Sequence, residues 1–325
     1  MDTLAVDSVH NVPLAGMTLA IRRPGEPDWV QAYGFADLAG SIPASSDTVY
    51  PIGSLSMQFT AVAMMQLVER GQLDLHAPIS QYLEGLPPEL RSITTYQLLT
   101  YTSQINDPVD IQALFFGTQD FTSEMLLHEL VPILYINLDF PQRVRYGSYI
   151  LAGLILEQVS RLSYSDYMTQ YVFAPAGLQN TSYCLPVPAN LARTYSLPNE
   201  VLEPLHLNVS AVFAAGGICS TAGDLLQWMD ALTTGKVISV ESYQQMITPI
   251  MLSDGSIGTV GYGLYTIQDT SYGLQVGFYG MEASFDAYLI SYPERGLTIV
   301  WLTNTAQPDN RILDGIFTNI PILMP

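Results

Sequence analysis

Apolar and polar positions change their spacing twice along the chain. Met17-Thr18-Leu19-Ala20-Ile21 is a short apolar run, and Arg22-Arg23-Pro24-Gly25-Glu26-Pro27 is rich in turn residues. Trp29-Val30-Gln31-Ala32-Tyr33-Gly34 follows as a second run, so the pair predicts a β-hairpin. After Ser54 the period lengthens. Phe59, Val62, Ala63, Met65, Gln66 and Leu67 fall at helical spacing, and Gly71 ends the pattern. Ser54 sits at the predicted helix entrance, where a hydroxyl can cap free backbone amides. Further helices are predicted over 95–99, 123–130, 149–160, 164–172, 223–232 and 240–246, punctuated by Pro and Gly. The spacing then returns to that of strands over 262–267, 273–278, 287–292 and 297–303, with a last helix over 310–319. Strands, then helices, then strands describe an α+β plan whose sheet draws on both chain ends.

Composition narrows the function classes. Of 325 residues, 48% are hydrophobic and only 13% are charged, enough apolar material for a sizeable core. Eleven Lys and Arg stand against 30 Asp and Glu, a formal net charge of −19. Such a surface repels phosphate backbones, so nucleic acid is excluded as a partner. No 18-residue run is free of polar residues, so no membrane span is expected. Met1-Asp2-Thr3-Leu4 lacks a basic start followed by an apolar stretch, so no export signal is visible and a cytoplasmic location is expected. Cys184 and Cys219 lack a CxxC spacing and are expected to be buried free thiols. His10, His76, His128 and His206 are dispersed, so neither a metal site nor a cofactor is expected. The only lysine is Lys236.

Several motifs occur in a telling order. Ser54-Leu55-Ser56-Met57 opens the long predicted helix, and Val68-Glu69-Arg70-Gly71-Gln72-Leu73 closes it. Leu98-Leu99-Thr100-Tyr101-Thr102-Ser103, Tyr146-Gly147-Ser148, Pro175-Ala176-Gly177-Leu178 and Gly216-Gly217-Ile218-Cys219-Ser220-Thr221-Ala222 follow, and Tyr292-Pro293-Glu294-Arg295-Gly296-Leu297 comes last. This series resembles the class C β-lactamases and the penicillin-binding-protein-like esterases, over residues 14–304. The resemblance implies a β-lactamase/transpeptidase-like fold: an antiparallel sheet flanked by helices, with a helical insertion. Residues 1–55 and 205–325 would form the sheet region and 56–204 a mainly helical region, in one compact unit with a cleft between them.

The resemblance also implies a chemistry, and this chain departs from it at the reacting positions. In the family a Ser-x-x-Lys pair shares one helix face; the Ser attacks a carbonyl and the Lys helps remove its proton. Here Ser54 is present, but Met57 holds the lysine position, and a thioether takes no proton near neutral pH. Tyr146 matches the tyrosine of Tyr-x-Asn, while Ser148 replaces the Asn. Phe278-Tyr279-Gly280 falls where Lys-Thr-Gly or His-x-Gly belongs. Tyr101 replaces a His and Gln104 a Gly in the Leu-Leu-x-His-Thr-Ser-Gly motif. Lys236 falls on a surface turn of the family fold and is a poor substitute. With no cation beside it, Tyr146 stays a phenol at neutral pH. A positioned general base is worth roughly 10²–10⁴-fold, so β-lactamase turnover is not expected.

The substitutions exchange cations for apolar and aromatic side chains. Met57, Tyr101, Ser148, Phe278 and Tyr279 are candidate substrate-binding residues for a neutral, largely apolar small molecule. Ser54, Tyr146 and Glu282 are the candidate catalytic residues, with Glu282 as a carboxyl at the cleft edge. Asp107 is a weaker candidate of the same kind, and His206 could border the cleft. The leading expectation is an enzyme of specialised metabolism that promotes cyclisation or rearrangement by positioning and polarisation. The alternatives are a weak serine esterase or acyltransferase using Ser54, and a non-catalytic binding or scaffold protein. Nothing in the sequence sets the oligomeric state.

Overall fold

The computed structural model describes residues 14–107, 114, 117–139, 142–198, 201–269, 272–282 and 284–306. The predicted hairpin is present as β1 (Gly16–Arg22) and β2 (Trp29–Asp37), followed by the short strands β3 (Ile42–Pro43) and β4 (Tyr50–Pro51). The helices that matter for the site are α1 (Ser56–Glu69), α2 (Thr95–Leu99) and α3 (Tyr146–Ser160). Between α2 and α3 lie the paired short strands β5 (Ile105–Asn106) and β6 (Tyr135–Ile136). Beyond them come β7 (Ser182–Tyr183), α4 (Val209–Gly216), β8 (Ile218–Ser220), α5 (Ala222–Thr233) and α6 (Val240–Ile247). The last four strands are β9 (Tyr265–Asp269), β10 (Gly273–Glu282), β11 (Phe285–Tyr292) and β12 (Leu297–Thr303). The predicted helix over 310–319 lies outside the described residues.

Seven strands form one antiparallel sheet in the order β9-β10-β11-β12-β1-β2-β3. The two chain ends meet at the β1–β12 pair, with Leu19 opposite Trp301. The central strands are buried on both faces, and β12 has every residue buried. This is why Leu297-Thr298-Ile299-Val300-Trp301-Leu302 reads as a nearly continuous apolar run rather than as an alternation. Ala20, Leu289, Val300 and Leu302 join the main core with the helices. Met17, Leu19, Ile21, Ile299 and Trp301 form a second cluster on the opposite face.

Helix α1 runs through the middle of the molecule. Every residue from Ser56 to Leu67 is buried, the polar ones included. Most of those polar groups find partners: Trp228 Nε1 donates to Gln58 Oε1 at 2.8 Å, and Thr60 Oγ1 donates to the Ala214 carbonyl at 2.7 Å, while Gln58 Nε2 has none among the described residues. A helix buried all round shows only weak amphipathic periodicity, which explains why its apolar positions crowd together in sequence.

One expectation is corrected outright. Cys184 and Cys219 are not free thiols but a disulfide, with Cα atoms 5.3 Å apart. The bond ties the segment after β7 to β8, which itself pairs with β4 just ahead of Ser54. Proximity was invisible in sequence because the partners are 35 residues apart and are brought together only by strand pairing. A disulfide persists in an oxidising compartment, which weighs against the cytoplasmic expectation. No helix among the described residues is long and apolar enough to cross a membrane, and no cluster of metal-ligating residues occurs among them.

Candidate functional site

The site is built around the turn that precedes α1. Gly53–Leu55 forms a 3-10 turn that runs directly into the helix. Neither the turn nor the helix has a side-chain cap, so Ser54 is not the N-cap that its position in the sequence allows. The turn is fixed from two sides. On one, Ile218 N–H donates to Ser56 Oγ at 3.1 Å and Ile52 N–H to the Ile218 carbonyl at 3.1 Å. On the other, β10 passes so close that a Cβ on Gly280 would lie 2.1 Å from the Ile52 carbonyl oxygen and 2.9 Å from Ser54 N. Gly280 is therefore required by close approach of two backbones. Gly53, at φ +51°, supplies the left-handed residue that turns the chain into the site, and Phe285 packs against its α-carbon. Ser54 is half-buried, and its hydroxyl has no hydrogen-bond partner among the described residues.

Beneath Ser54 the arrangement is dry. Met57 is wholly buried, and the Tyr101 hydroxyl donates to its sulfur at 3.1 Å. Tyr101 takes φ +58°, an unfavourable backbone for a side chain of its size. Its ring stacks on Tyr149 at 5.1 Å and on Phe278 at 6.3 Å. Burial first, and the neighbouring Tyr149 second, push the Tyr101 phenol well above its ordinary range. Tyr149 is likewise raised by burial and donates to the Leu99 carbonyl at 2.9 Å. The thioether and phenol thus occupy the centre of the site, and neither exchanges a proton near neutral pH.

The sheet-side wall is aromatic. Phe278 is buried, with Tyr265 stacked on it at 4.7 Å. Tyr279 is 42% exposed, lies 5.2 Å from Tyr265 with nearly parallel rings, and accepts a hydrogen bond from the Tyr265 hydroxyl at 3.2 Å. Burial raises the Tyr265 phenol, and its bond to Tyr279 adds to this. Tyr265 was not among the sequence candidates. Its cross-strand partner is Gly277, and the pairing of these two strands, absent from any local pattern, brings its ring onto Phe278. Glu282 closes β10 opposite Phe285, and its side chain lies outside what the structure describes.

The helical wall differs. Ser148 is buried and exchanges a 2.9 Å hydrogen bond with Ser103, so the serine in the Asn position is satisfied by a neighbouring motif. Tyr146 is half-buried at the first turn of α3. Asp107 accepts from the Tyr146 and Gly147 amides at 3.0 and 2.8 Å. Burial raises its carboxyl, and these two bonds, with Arg145 and Arg143, oppose the shift. Asp107 therefore anchors the helix that carries Tyr146 instead of facing a substrate. His206 lines a cavity of about 570 Å³ between segments 184–194 and 204–209, with Pro51 in its wall. Lys236 is on the surface, paired with Asp230 at 2.7 Å.

Comparison with known proteins accounts for this architecture. The chain is 28% identical over 308 residues to the putative penicillin-binding protein PbpX of Bacillus subtilis, covering 91% of this chain and 72% of that one. It is 23% identical to penicillin-binding protein 4* of the same organism, covering 88% and 67%. Among solved structures, the octameric penicillin-binding protein homologue from Pyrococcus abyssi superposes with a TM-score of 0.83 at 23% identity, covering 98% of this chain and 76% of that one. D-amino acid amidase from Ochrobactrum anthropi gives a TM-score of 0.83 at 20% identity, covering 98% of both. The profile of the Beta-lactamase family matches residues 2–318, so with this fold and this series of motifs the chain belongs to the beta-lactamase family.

Proposed function

We propose that this chain has left lysine-assisted acyl transfer and uses the family cleft to hold a largely apolar small molecule. The observation that carries this reading is the Met57–Tyr101 contact. Where the family places a base beside the nucleophile, a buried sulfur accepts the hydrogen bond of a buried phenol. Ser54 then stays an ordinary alcohol, since a thioether takes no proton from it near neutral pH. The aromatic wall of Tyr265, Phe278 and Tyr279 favours an apolar or aromatic ligand. Any reaction would use positioning and neutral hydrogen bonds, as cyclisation and rearrangement do. Ser54 and Tyr146 would polarise such a ligand.

A second reading is favoured by the packing itself. Met57, Tyr101 and Phe278 are all buried, as in a cleft converted into core, and such a chain would act as a binding or scaffold protein without catalysis.

The test is direct. Nitrocefin and penicillins should show no hydrolysis above background, and a fluorophosphonate probe should leave Ser54 unlabelled. Met57→Lys alone should not restore turnover, because Phe278 and Ser148 remain and a lysine in that dry position would lose its charge. Labelling of Ser54, with an esterase activity lost in Ser54→Ala, would replace this reading by the weak esterase. Failure of any aromatic ligand to bind would leave the scaffold.

A further inference from the structure

The rim of the helical wall carries cations that the cleft chemistry does not use. Arg143 and Arg145, just before Tyr146, line a niche with Gln104, Ile105, Asn106 and Asn137. Its enclosed part is only about 10 Å³, the space of one oxygen-sized group, and it opens to solvent. Two positive groups converge there in a chain with only eleven Lys and Arg. Burial, and then the charge of Arg143, lower the pKa of Arg145. Arg145 Nε is buried with no hydrogen-bond partner, and no ion pair to Arg145 occurs among the described residues. The nearby acid, Asp107, is engaged by the Tyr146 and Gly147 amides.

Gln104 gives a second, independent pointer. It stands at φ +59°, where glycine would relieve about 1–2 kcal/mol of left-handed strain. Backbone strain of this kind is retained where a side chain is used, and Gln104 lines the niche. Asn137 donates its backbone N–H to the Gln104 carbonyl at 2.8 Å, and its Oδ1 accepts from Asp139 N. Asn137 is half-buried and lines the niche. The buried, unpartnered Arg145 Nε, beside a second guanidinium and two side-chain amides in so small a niche, describes a receptor for an oxyanion.

We propose that this niche is an oxyanion site, taking a carboxylate or phosphate group through Arg145, with Arg143 and the side-chain amides of Gln104 and Asn137 completing it. The niche borders the aromatic core: Arg143 N–H donates to the Tyr101 carbonyl at 3.0 Å, and Arg145 is followed by Tyr146. A molecule anchored there by an anionic end would lay its apolar part along the cleft. That extension rests on the reading of the cleft as a ligand site; the oxyanion site stands on its own geometry.

Thermal unfolding of the full chain, with sodium acetate or sodium phosphate titrated against sodium chloride at constant ionic strength, tests it. The midpoint should rise with the logarithm of acetate or phosphate concentration, and the stronger of the two identifies the carboxylate or the phosphate class. Arg145→Gln should weaken the response at least about tenfold, the loss of one charge-assisted contact. Arg145→Lys should retain part of it, and Arg295→Gln should match the wild type. Gln104→Ala, which leaves both arginines in place, should weaken it less. No rise beyond chloride, or the same rise in Arg145→Gln, overturns the proposal. Isothermal titration with 4-phenylbutyrate separates the two readings. Tighter binding than acetate joins the niche to the aromatic cleft. Equal binding that is still weakened by Arg145→Gln keeps the oxyanion site and removes the cleft ligand.

Discussion

The two sides of the Ser54 turn satisfy their side chains by different means. The sheet side is a layer of aromatic rings against a close backbone contact. Gly280 lies against the Ile52–Ser54 turn, and Phe278, Tyr265 and Tyr279 form a stacked aromatic layer beside it. The helical wall kept polar side chains and bonded them to one another or to backbone: Ser103 to Ser148, and Asp107 to the start of α3. It also accepts two left-handed residues, Tyr101 and Gln104, within four positions. Backbone approach in this fold is thus more constrained than side-chain chemistry. A Cβ at Gly280 has nowhere to go, whereas the buried Met57 sulfur is satisfied by a phenol that comes from a different element.

The strongest way to break this comparison is to remove the phenol. Tyr101→Ala should destabilise by about 3–5 kcal/mol in urea unfolding, as large-to-small changes of buried aromatics do. Tyr279→Ala, on the exposed part of the opposite wall, should cost less than about 1 kcal/mol. Equal costs would mean that Tyr101 is not the packed centre of the site.

Alkaline titration comes next. Burial raises Tyr50 to about 12, with a bond to Thr18 opposing, and burial raises Tyr243 to about 12. Tyr101, Tyr149 and Tyr265 are raised as well. A phenol whose pKa is higher in the folded state favours folding below its unfolded value near 10, and that contribution is lost as pH rises through the folded value. Stability should therefore decline from about pH 10 upward, by as much as about 1.4 kcal/mol per pH unit for each phenol still protonated in the fold. Absorbance at 295 nm should show tyrosines that ionise only with unfolding. A smooth titration of all phenols near pH 10 in the folded chain would contradict the dry centre.

Smaller effects sharpen the helical wall. Ser148→Ala should cost about 1 kcal/mol, Ser103→Ala somewhat more because its hydroxyl also accepts from Ile105 N–H, and the double variant little more than Ser103→Ala alone, since the two share one hydrogen bond. Gln104→Gly should act in the opposite direction, stabilising by about 0.5–1 kcal/mol as left-handed strain is relieved against the greater freedom of the unfolded glycine. A loss of stability there would show that the Gln104 side chain contributes more than its backbone costs.

Much of the fold is legible in the sequence. Periodicity located the β1–β2 hairpin, the helices α1 to α3 and the strands from β9 to β12, because long elements repeat their burial pattern many times. The two-residue strands β4 to β7 were missed, as was β8, since so few residues carry no period. Strand β10 runs on to Glu282, beyond the residue 278 at which its apolar run stops, because Gly280 and its neighbours are fixed by pairing with β11 instead of by burial of large side chains.

The sequence by itself determined which atoms are available: a serine without a lysine, a phenylalanine at the strand motif, a single lysine in 325 residues. Those absences need no geometry, since proton transfer requires a titratable group. Only the tertiary structure decided what replaced them. The Tyr101 hydroxyl reaches Met57 from 44 residues away, Cys184 meets Cys219 across β7 and β8, and Asp107 turns from candidate acid into the anchor of α3. Each of these depends on where separate elements dock. Docking is set by the packing of the whole core and by backbone approach at residues such as Gly280, neither of which is written in any local stretch of the chain.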